Sequence, residues 1–402
     1  MRRLSSVLLA VILLPLFTAA DWLQFRGNDN SSIAGDARLP LSISATEHVA
    51  WKAPLVGKGV SGPIVVGDRV FVTASSGPVV QDRLIVLCFD AKSGQQIWKR
   101  EFWATGRCHH HPTSANAAPT PASDGKNIYA FYSSNDLVCL DLDGNLQWYR
   151  GLAHDYPKAG NDVGMSSSPL VVDGTVVVQI ENQGDSFAAG IDTVTGENRW
   201  RIARKAGANW CSPSALRGEN GKNLVLLQSP DGLTAHDPQT GEQAWKYEAA
   251  CSGIPSATAT GGRIYLPANG LTVLSATPEA TSAELAWDSN VLGASSASPV
   301  VHNEKVYILP RGGVLACGSA DKGDVLWKVR LKGTFWGTPV IAGEHMYCAN
   351  QEGQCLVVNL AGDKGELVST AELGEPFLGS PAVAGNALFL RGDKHLWKIA
   401  AP

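Results

Sequence analysis

The sequence predicts an all-β chain folded as an eight-bladed β-propeller whose ring is closed by its N-terminal strand. Three observations carry this. One phrase returns eight times along 402 residues. Tryptophans follow most copies, at intervals of 40 to 52 residues. The last copy is one strand short, and a lone strand precedes the first. A four-stranded unit of about 40 to 50 residues carrying one aromatic is the period of a propeller blade.

The chain opens MRRLSSVLLAVILLPLFTAADW, with Arg2 and Arg3 ahead of an apolar run and then small residues. That is the order of a secretory signal peptide over residues 1–20, and the run is too short to span a bilayer. Cleavage is expected after Ala20, giving a periplasmic or secreted chain. No cysteine lies there to carry a lipid anchor, and no later stretch is long and apolar enough for a transmembrane helix. The 33 basic against 37 acidic residues give a formal charge of −4, and losing Arg2 and Arg3 makes the mature chain more acidic. That balance argues against a nucleic-acid or anionic-lipid partner bound through a basic surface.

Residues 21–44 lack the repeat and are expected to form an extension packed on the propeller, which itself runs over 45–402. HVAWKAPL at 48–55 is the lone strand, carrying Trp51. The repeat then begins: SGPIVVGDRVFV at 61, APTPASDGKNIYAF at 118, SSPLVVDGTVVV at 167 and CSPSALRGENGKNLVLL at 211. It continues as GIPSATATGGRIYL at 253, ASPVVHNEKVYIL at 297, GTPVIAGEHMYC at 337 and GSPAVAGNALFL at 379. Short β-branched runs broken by Gly, Asn and Asp are strands joined by tight turns.

Each copy leads into a second phrase, clearest in LIVLCFDAKSGQQIW (84–98), AAGIDTVTGENRW (188–200) and LTAHDPQTGEQAW (233–245). An Asp closes the turn, a Gly supplies positive φ, and the indole that follows is expected to pack on the neighbouring blade. The eighth copy stops after HLWKIA, so the strand with Trp51 must complete it. Two copies depart from the pattern: blade seven has Val368 in the tryptophan position, and blade five has SATPEATSAE in place of the Asp turn. Looser packing is expected at both.

The alternation of SPxVxxGxxVY with LxxxDxxTGxxxW resembles the repeat of pyrroloquinoline-quinone (PQQ) propellers. DWLQFRGN at 21–28, HVAWKAPLVGKGVSGPIVVGDRVFV at 48–72 and VQIENQGDSFAAGIDTVTGENRW at 178–200 resemble exported bacterial PQQ-like propeller proteins. These are related to BamB, the propeller subunit of the outer-membrane β-barrel assembly machinery. The quinoprotein dehydrogenases of this fold hold PQQ over the channel, between a tryptophan and a disulfide of adjacent cysteines. A calcium ion and a general-base Asp complete their site. Here none of the eight cysteines, at 88, 108, 139, 211, 251, 317, 348 and 355, is adjacent to another.

Propeller topology places the connections between blades and the turns between second and third strands on one face, over the channel mouth. The candidates there are His109, His110, His111 and Asn116, then Trp210 and Trp336, and the turns bearing Glu181, Asn182, Asp185, Arg311 and Arg391. Indoles, guanidiniums and a carboxylate-amide pair converging on one mouth can grip a planar or anionic ligand. Against this, the Glu181 turn can serve only its own backbone, the tryptophans can be packing, and a turn arginine is by default a solvated charge.

In TGRCHHHPTSANAAPTP, at 105–121, three consecutive histidines point different ways in extended backbone and rarely share one ion. The resemblance implies His110 or His111 acting with Asn116 as a structural or binding unit. Cys348 and Cys355 flank the turn ANQEGQ: a two-residue turn would oppose them, whereas a bulge at Gly353 would put them on opposite faces. Cys139 and Cys317 read as buried small residues.

The reading favoured by the missing cysteine pair is a non-catalytic ring that presents its mouth or rim to a protein, peptide or saccharide. No cofactor is expected on that reading. The alternative is a PQQ- and calcium-dependent dehydrogenase of alcohols or sugars, with Trp210 or Trp336 as stacking platform and Glu181 and Asn182 as calcium ligands.

Overall fold

The computed structural model describes residues 21–78, 80–160 and 163–401, so the signal peptide assigned to residues 1–20 lies outside the described residues. Eight sheets surround a central channel, six built from four consecutive antiparallel strands and two joined by a strand from the N-terminal region. Blade one is formed by Ile64–Val66, Arg69–Ser76, Arg83–Asp90 and Gln96–Trp103. Its inner strand is wholly buried, and its outermost strand is exposed at alternate positions with Trp98 turned inward. Around the ring the second and third strands are buried almost throughout, covered on both faces, while the outer strands have one wet side.

Ring closure follows the sequence. Ala382–Ala384, Ala387–Arg391 and His395–Ala400 supply three strands of blade eight, and Val49–Pro54 pairs with His395–Ala400 as the outermost. The edge that His395–Ala400 would otherwise expose is thereby paired.

The indoles join the blades. Trp98 donates its ring N–H to the Leu142 carbonyl at 2.9 Å, Trp148 to Thr193 at 3.1 Å, Trp200 to Pro238 at 2.9 Å and Trp287 to Ala320 at 3.0 Å. Trp51 does the same to Ala91 of blade one, at 3.1 Å. Each acceptor is in the Asp turn of the next blade. Gly196 shows why that turn ends in glycine: φ is 73°, and a Cβ there would lie 2.7 Å from the Trp148 ring. Facing the altered turn of blade five, Trp245 has no acceptor for its N–H among the described residues, and Trp327, facing blade seven, has none either. In blade seven the register places Ser369, opposite Val357, in the tryptophan position; Val368, expected there from the sequence, is the exposed residue of the adjoining bulge.

Residues 21–34 run across the channel. Trp22 bridges Val65 of blade one, the Leu23 carbonyl accepts from Ser123 of blade two, and Gln24 accepts from Val171 of blade three. Asn30 accepts from the Ala215 amide of blade four, and Arg26 donates to Ala257 and Thr258 of blade five. Ile33–Ala34 then adds a fifth, parallel strand to the inner edge of blade seven.

All eight cysteines are free thiols. Cys348 is opposite Leu356 and Cys355 opposite Ala349, so the two lie on opposite faces of blade seven, in different core clusters. Cys139 and Cys317 are buried.

Candidate functional site

The residue before the inner-strand proline is Ser or Thr in almost every copy, and these residues form a collar. Gly62 donates its amide to Thr120 Oγ1 at 2.9 Å, Thr120 to Ser168 at 3.0 Å, Ser168 to Ser212 at 2.9 Å and Ser212 to Ser256 at 2.9 Å. Ser256 donates to Ser298 at 3.0 Å, Ser298 to Thr338 at 3.0 Å and Thr338 to Ser380 at 2.9 Å. The chain of bonds passes through all eight blades and breaks once, where Gly62 offers no hydroxyl to the Ser380 amide. A Cβ on Gly62 would lie 2.6 Å from the Ser380 carbonyl oxygen, so the closing seam is too tight for the serine that would complete the ring.

The collar girdles a cavity of about 480 Å³. Toward the mouth the wall is apolar: Trp210, Trp336, Val60, Ile254 and Leu378. The contacts of residues 21–34 fall one to three positions beyond the collar on the inner strands of blades one to five and seven, so that segment closes the far end, and its Phe25 lines the cavity. The channel is therefore blind. Among the described residues no Asp, Glu, Lys, Arg or Cys lines it, and His111 is the one titratable side chain there.

Of the residues singled out in the sequence, the cavity brings together Trp210, Trp336 and His111. Both indole N–H groups are engaged, Trp210 with the Gly164 carbonyl and Trp336 with Gln351 Oε1, each at 2.9 Å, which fixes both rings in place. Arg311 is exposed and stacks over Trp336 at 4.8 Å. His110 points its Nδ1 at the His111 carbonyl, 2.9 Å away, and His109 offers its carbonyl to Ser133. Asn116 is fully buried and ties the connection down, donating to Gln81 at 3.3 Å and accepting from the Ser134 amide at 2.8 Å.

Glu181, Asn182, Asp185 and Arg391 are outside the cavity lining. Glu181 is buried and accepts from Gln179 and Arg204, each at 2.8 Å, and from Asn209 at 3.0 Å. Asn182 closes its own turn through Gly184 and Asp185, and Asp185 pairs with Arg201 at 2.8 Å. Arg391 corrects the expectation of a solvated turn charge. It ends the Ala387–Arg391 strand, is 3% exposed, and none of its three guanidinium nitrogens has a hydrogen-bond partner among the described residues. Its guanidinium lies against Gly59, at the seam between blades eight and one. Burial draws its pKa down to about 10, as it does for Arg26, so both stay protonated at neutral pH.

The donor set does not fit PQQ with calcium. Calcium takes six to eight oxygens, carboxylates prominent among them, and the lining has no carboxylate among the described residues. Among the described lining residues there is also no Lys or Arg to meet the carboxylates of the quinone. Among the described residues no group of three or more His, Cys, Asp or Glu is placed to hold a metal ion. No helix among them is long and apolar enough to cross a membrane.

A family model described as outer membrane protein assembly factor BamB matches residues 28–206, 85–254 and 272–368. The outer membrane protein assembly factor BamB of Burkholderia pseudomallei (strain K96243) is 29% identical over 226 residues, 54% of this chain and 51% of that one. A polyvinylalcohol dehydrogenase of Pseudomonas sp is 26% identical over 162 residues, 40% of this chain and 22% of that one. The chain thus spans about half the length of the first of these relatives and about a fifth of the second. Among solved structures, quinohemoprotein alcohol dehydrogenase from Comamonas testosteroni superposes with a TM-score of 0.69 at 14% identity, covering 95% of this chain and 80% of that one. BamB from Moraxella catarrhalis superposes with a TM-score of 0.60 at 17% identity, covering 90% and 96%.

Proposed function

The chain belongs to the family described as outer membrane protein assembly factor BamB, and from that membership we propose that it is an exported, non-catalytic propeller working in the periplasm. Its mouth binds a protein, peptide or saccharide and holds it on a rigid ring. The observation that carries this reading is the lining of the blind channel, which among the described residues offers indoles and hydroxyls but no carboxylate for calcium or for proton abstraction. Both indoles are fixed by hydrogen bonds, so a ligand meets preorganised faces and little ordering entropy is lost on binding. The likeness to dehydrogenase propellers, at 14% identity for the Comamonas enzyme, extends to the fold.

The test is a titration of the mature protein with PQQ, with and without calcium, read by tryptophan fluorescence and by dye-linked oxidation of alcohols and sugars. The expected result is no saturable quenching and no dye reduction. Calcium-dependent quenching with dye reduction would replace this reading by the dehydrogenase one and make Trp210, Trp336, Glu181 and Asn182 the first residues to substitute.

A further inference from the structure

We propose that the blind channel is a carboxylate site: it takes one negatively charged group at the collar, with an apolar or aromatic body against Trp210 and Trp336. This rests on the cavity being the ligand site and adds the charge of what enters it.

Three independent observations point the same way. The first is the collar. Each hydroxyl of Thr120, Ser168, Ser212, Ser256, Ser298, Thr338 and Ser380 accepts a backbone N–H from the preceding blade. None donates its own proton to a protein acceptor among the described residues, so seven O–H donors are available to a ligand. The second is the seam, where Gly62 leaves the Ser380 amide without an acceptor among the described residues.

The third is a pair of buried cations. Arg26 is 1% exposed, directly follows Phe25 at the floor, and has its guanidinium 5.3 Å from that ring. Its partners, Thr258 Oγ1 and the Ala257 carbonyl, are neutral. Arg391 is behind the wall at Gly59, next to Val60 of the lining, with no hydrogen-bond partner among the described residues. Neither guanidinium is within ion-pair distance of a carboxylate among the described residues; Asp29 is the acid that acts on Arg26, and Asp393 and Glu375 those that act on Arg391. Glu375 is already held by His395 at 2.8 Å and Trp397 at 2.9 Å.

A neutral pocket ringed by donors and flanked by two buried positive charges has a positive interior, because in a low-dielectric surround such charges act over longer distances than in water. One carboxylate is stabilised there. The three of PQQ, with a calcium ion lacking ligands, are not.

The experiment compares three ligands of one shape on the unaltered mature protein: 3-phenylpropanoate, 3-phenylpropanamide and 3-phenylpropylammonium, by calorimetry and tryptophan fluorescence. The acid is expected to bind at least tenfold tighter than the amide, and the ammonium more weakly than both. Arg26→Gln and Arg391→Gln should each move the acid-to-amide ratio toward one. Since either variant can fail to fold, Ser256→Ala with Ser298→Ala provides a second check, expected to weaken the acid more than the amide. Short peptides ending in phenylalanine, with free or amidated termini, separate a peptide carboxylate from a free acid as the source. Amide binding as tight as the acid overturns the carboxylate assignment and leaves the binding propeller standing. Absence of binding by all of these probes overturns the cavity as ligand site, and this inference with it.

Discussion

Glu181 directs both carboxylate oxygens at its own scaffold. Arg204, Gln179 and Asn209 converge on it where blade three meets the connection to blade four. Removing one member of a buried pair strands the other charge, so Glu181→Ala should cost about 3 kcal/mol of unfolding free energy, read by denaturant titration, while calcium leaves the melting temperature of the parent unchanged. His236 gives a pH dependence. It is 2% exposed with Nδ1 3.1 Å from the Gly241 carbonyl oxygen, and its Nε2 has no partner among the described residues. Burial lowers its pKa to about 4. An unfolded histidine titrates near 6.5, so between those values the unfolded chain binds the extra proton. Stability is therefore fully present above pH 6.5 and falls as the pH drops toward 4, by up to about 1.4 kcal/mol per pH unit from this group. His236→Gln should flatten that part of the curve; an unchanged slope would assign it to other groups. Residues of this kind were hard to weigh from sequence. Glu181 and Asn182 share the residue types of a calcium site, and only the positions of Arg204 and Asn209, more than twenty residues away, show where those oxygens point.

The blade is the element that the sequence discloses best, because its period, turn aspartate and indole recur in fixed order. What joins one blade to the next was half visible: the tryptophan, but not its acceptor. The structure supplies the acceptor in the turn of the following blade, and the altered turn of blade five explains the unpaired N–H of Trp245. A direct comparison follows. Trp200→Phe loses a hydrogen bond and leaves the Pro238 carbonyl unpaired; Trp245→Phe loses only ring area. The first should cost about 1 kcal/mol more than the second, measured as the difference in denaturant midpoints at equal slope. Equal losses would mean the indole acts by packing alone. The collar hid in the sequence for a different reason. It takes one Ser or Thr in seven of the eight repeats, in six of them before the inner-strand proline, and each copy alone reads as ordinary turn chemistry. Aligning the eight phrases would have exposed the column, with Gly62 as its exception and Ala257 as the one position without the proline.

Across the whole molecule, the ring and its N-terminal segment form one object. Deleting residues 21–34 should lower the melting temperature by several degrees and speed hydrogen exchange selectively at the amides of Ser123, Val171, Ala215 and Ile341. All four donate to that segment. Unchanged exchange at those four positions would mean the segment rests on the ring without tying it. Phe25 was not legible as a cavity residue, because nothing in a non-repeating stretch says which way it faces. Between them, residues 21–54 reach every blade: seven through the contacts of the first fourteen residues, with Ile33 packing against the core shared by blades six and seven, and the eighth by strand pairing. Those attachment points sit at fixed angles around the circle. Tandem repeats readily gain or lose a unit by unequal recombination, yet a seven- or nine-bladed descendant would carry each inner strand away from the residue that meets it. The strap therefore counts the blades, and the repeat number becomes a property that can change only together with a sequence that does not repeat.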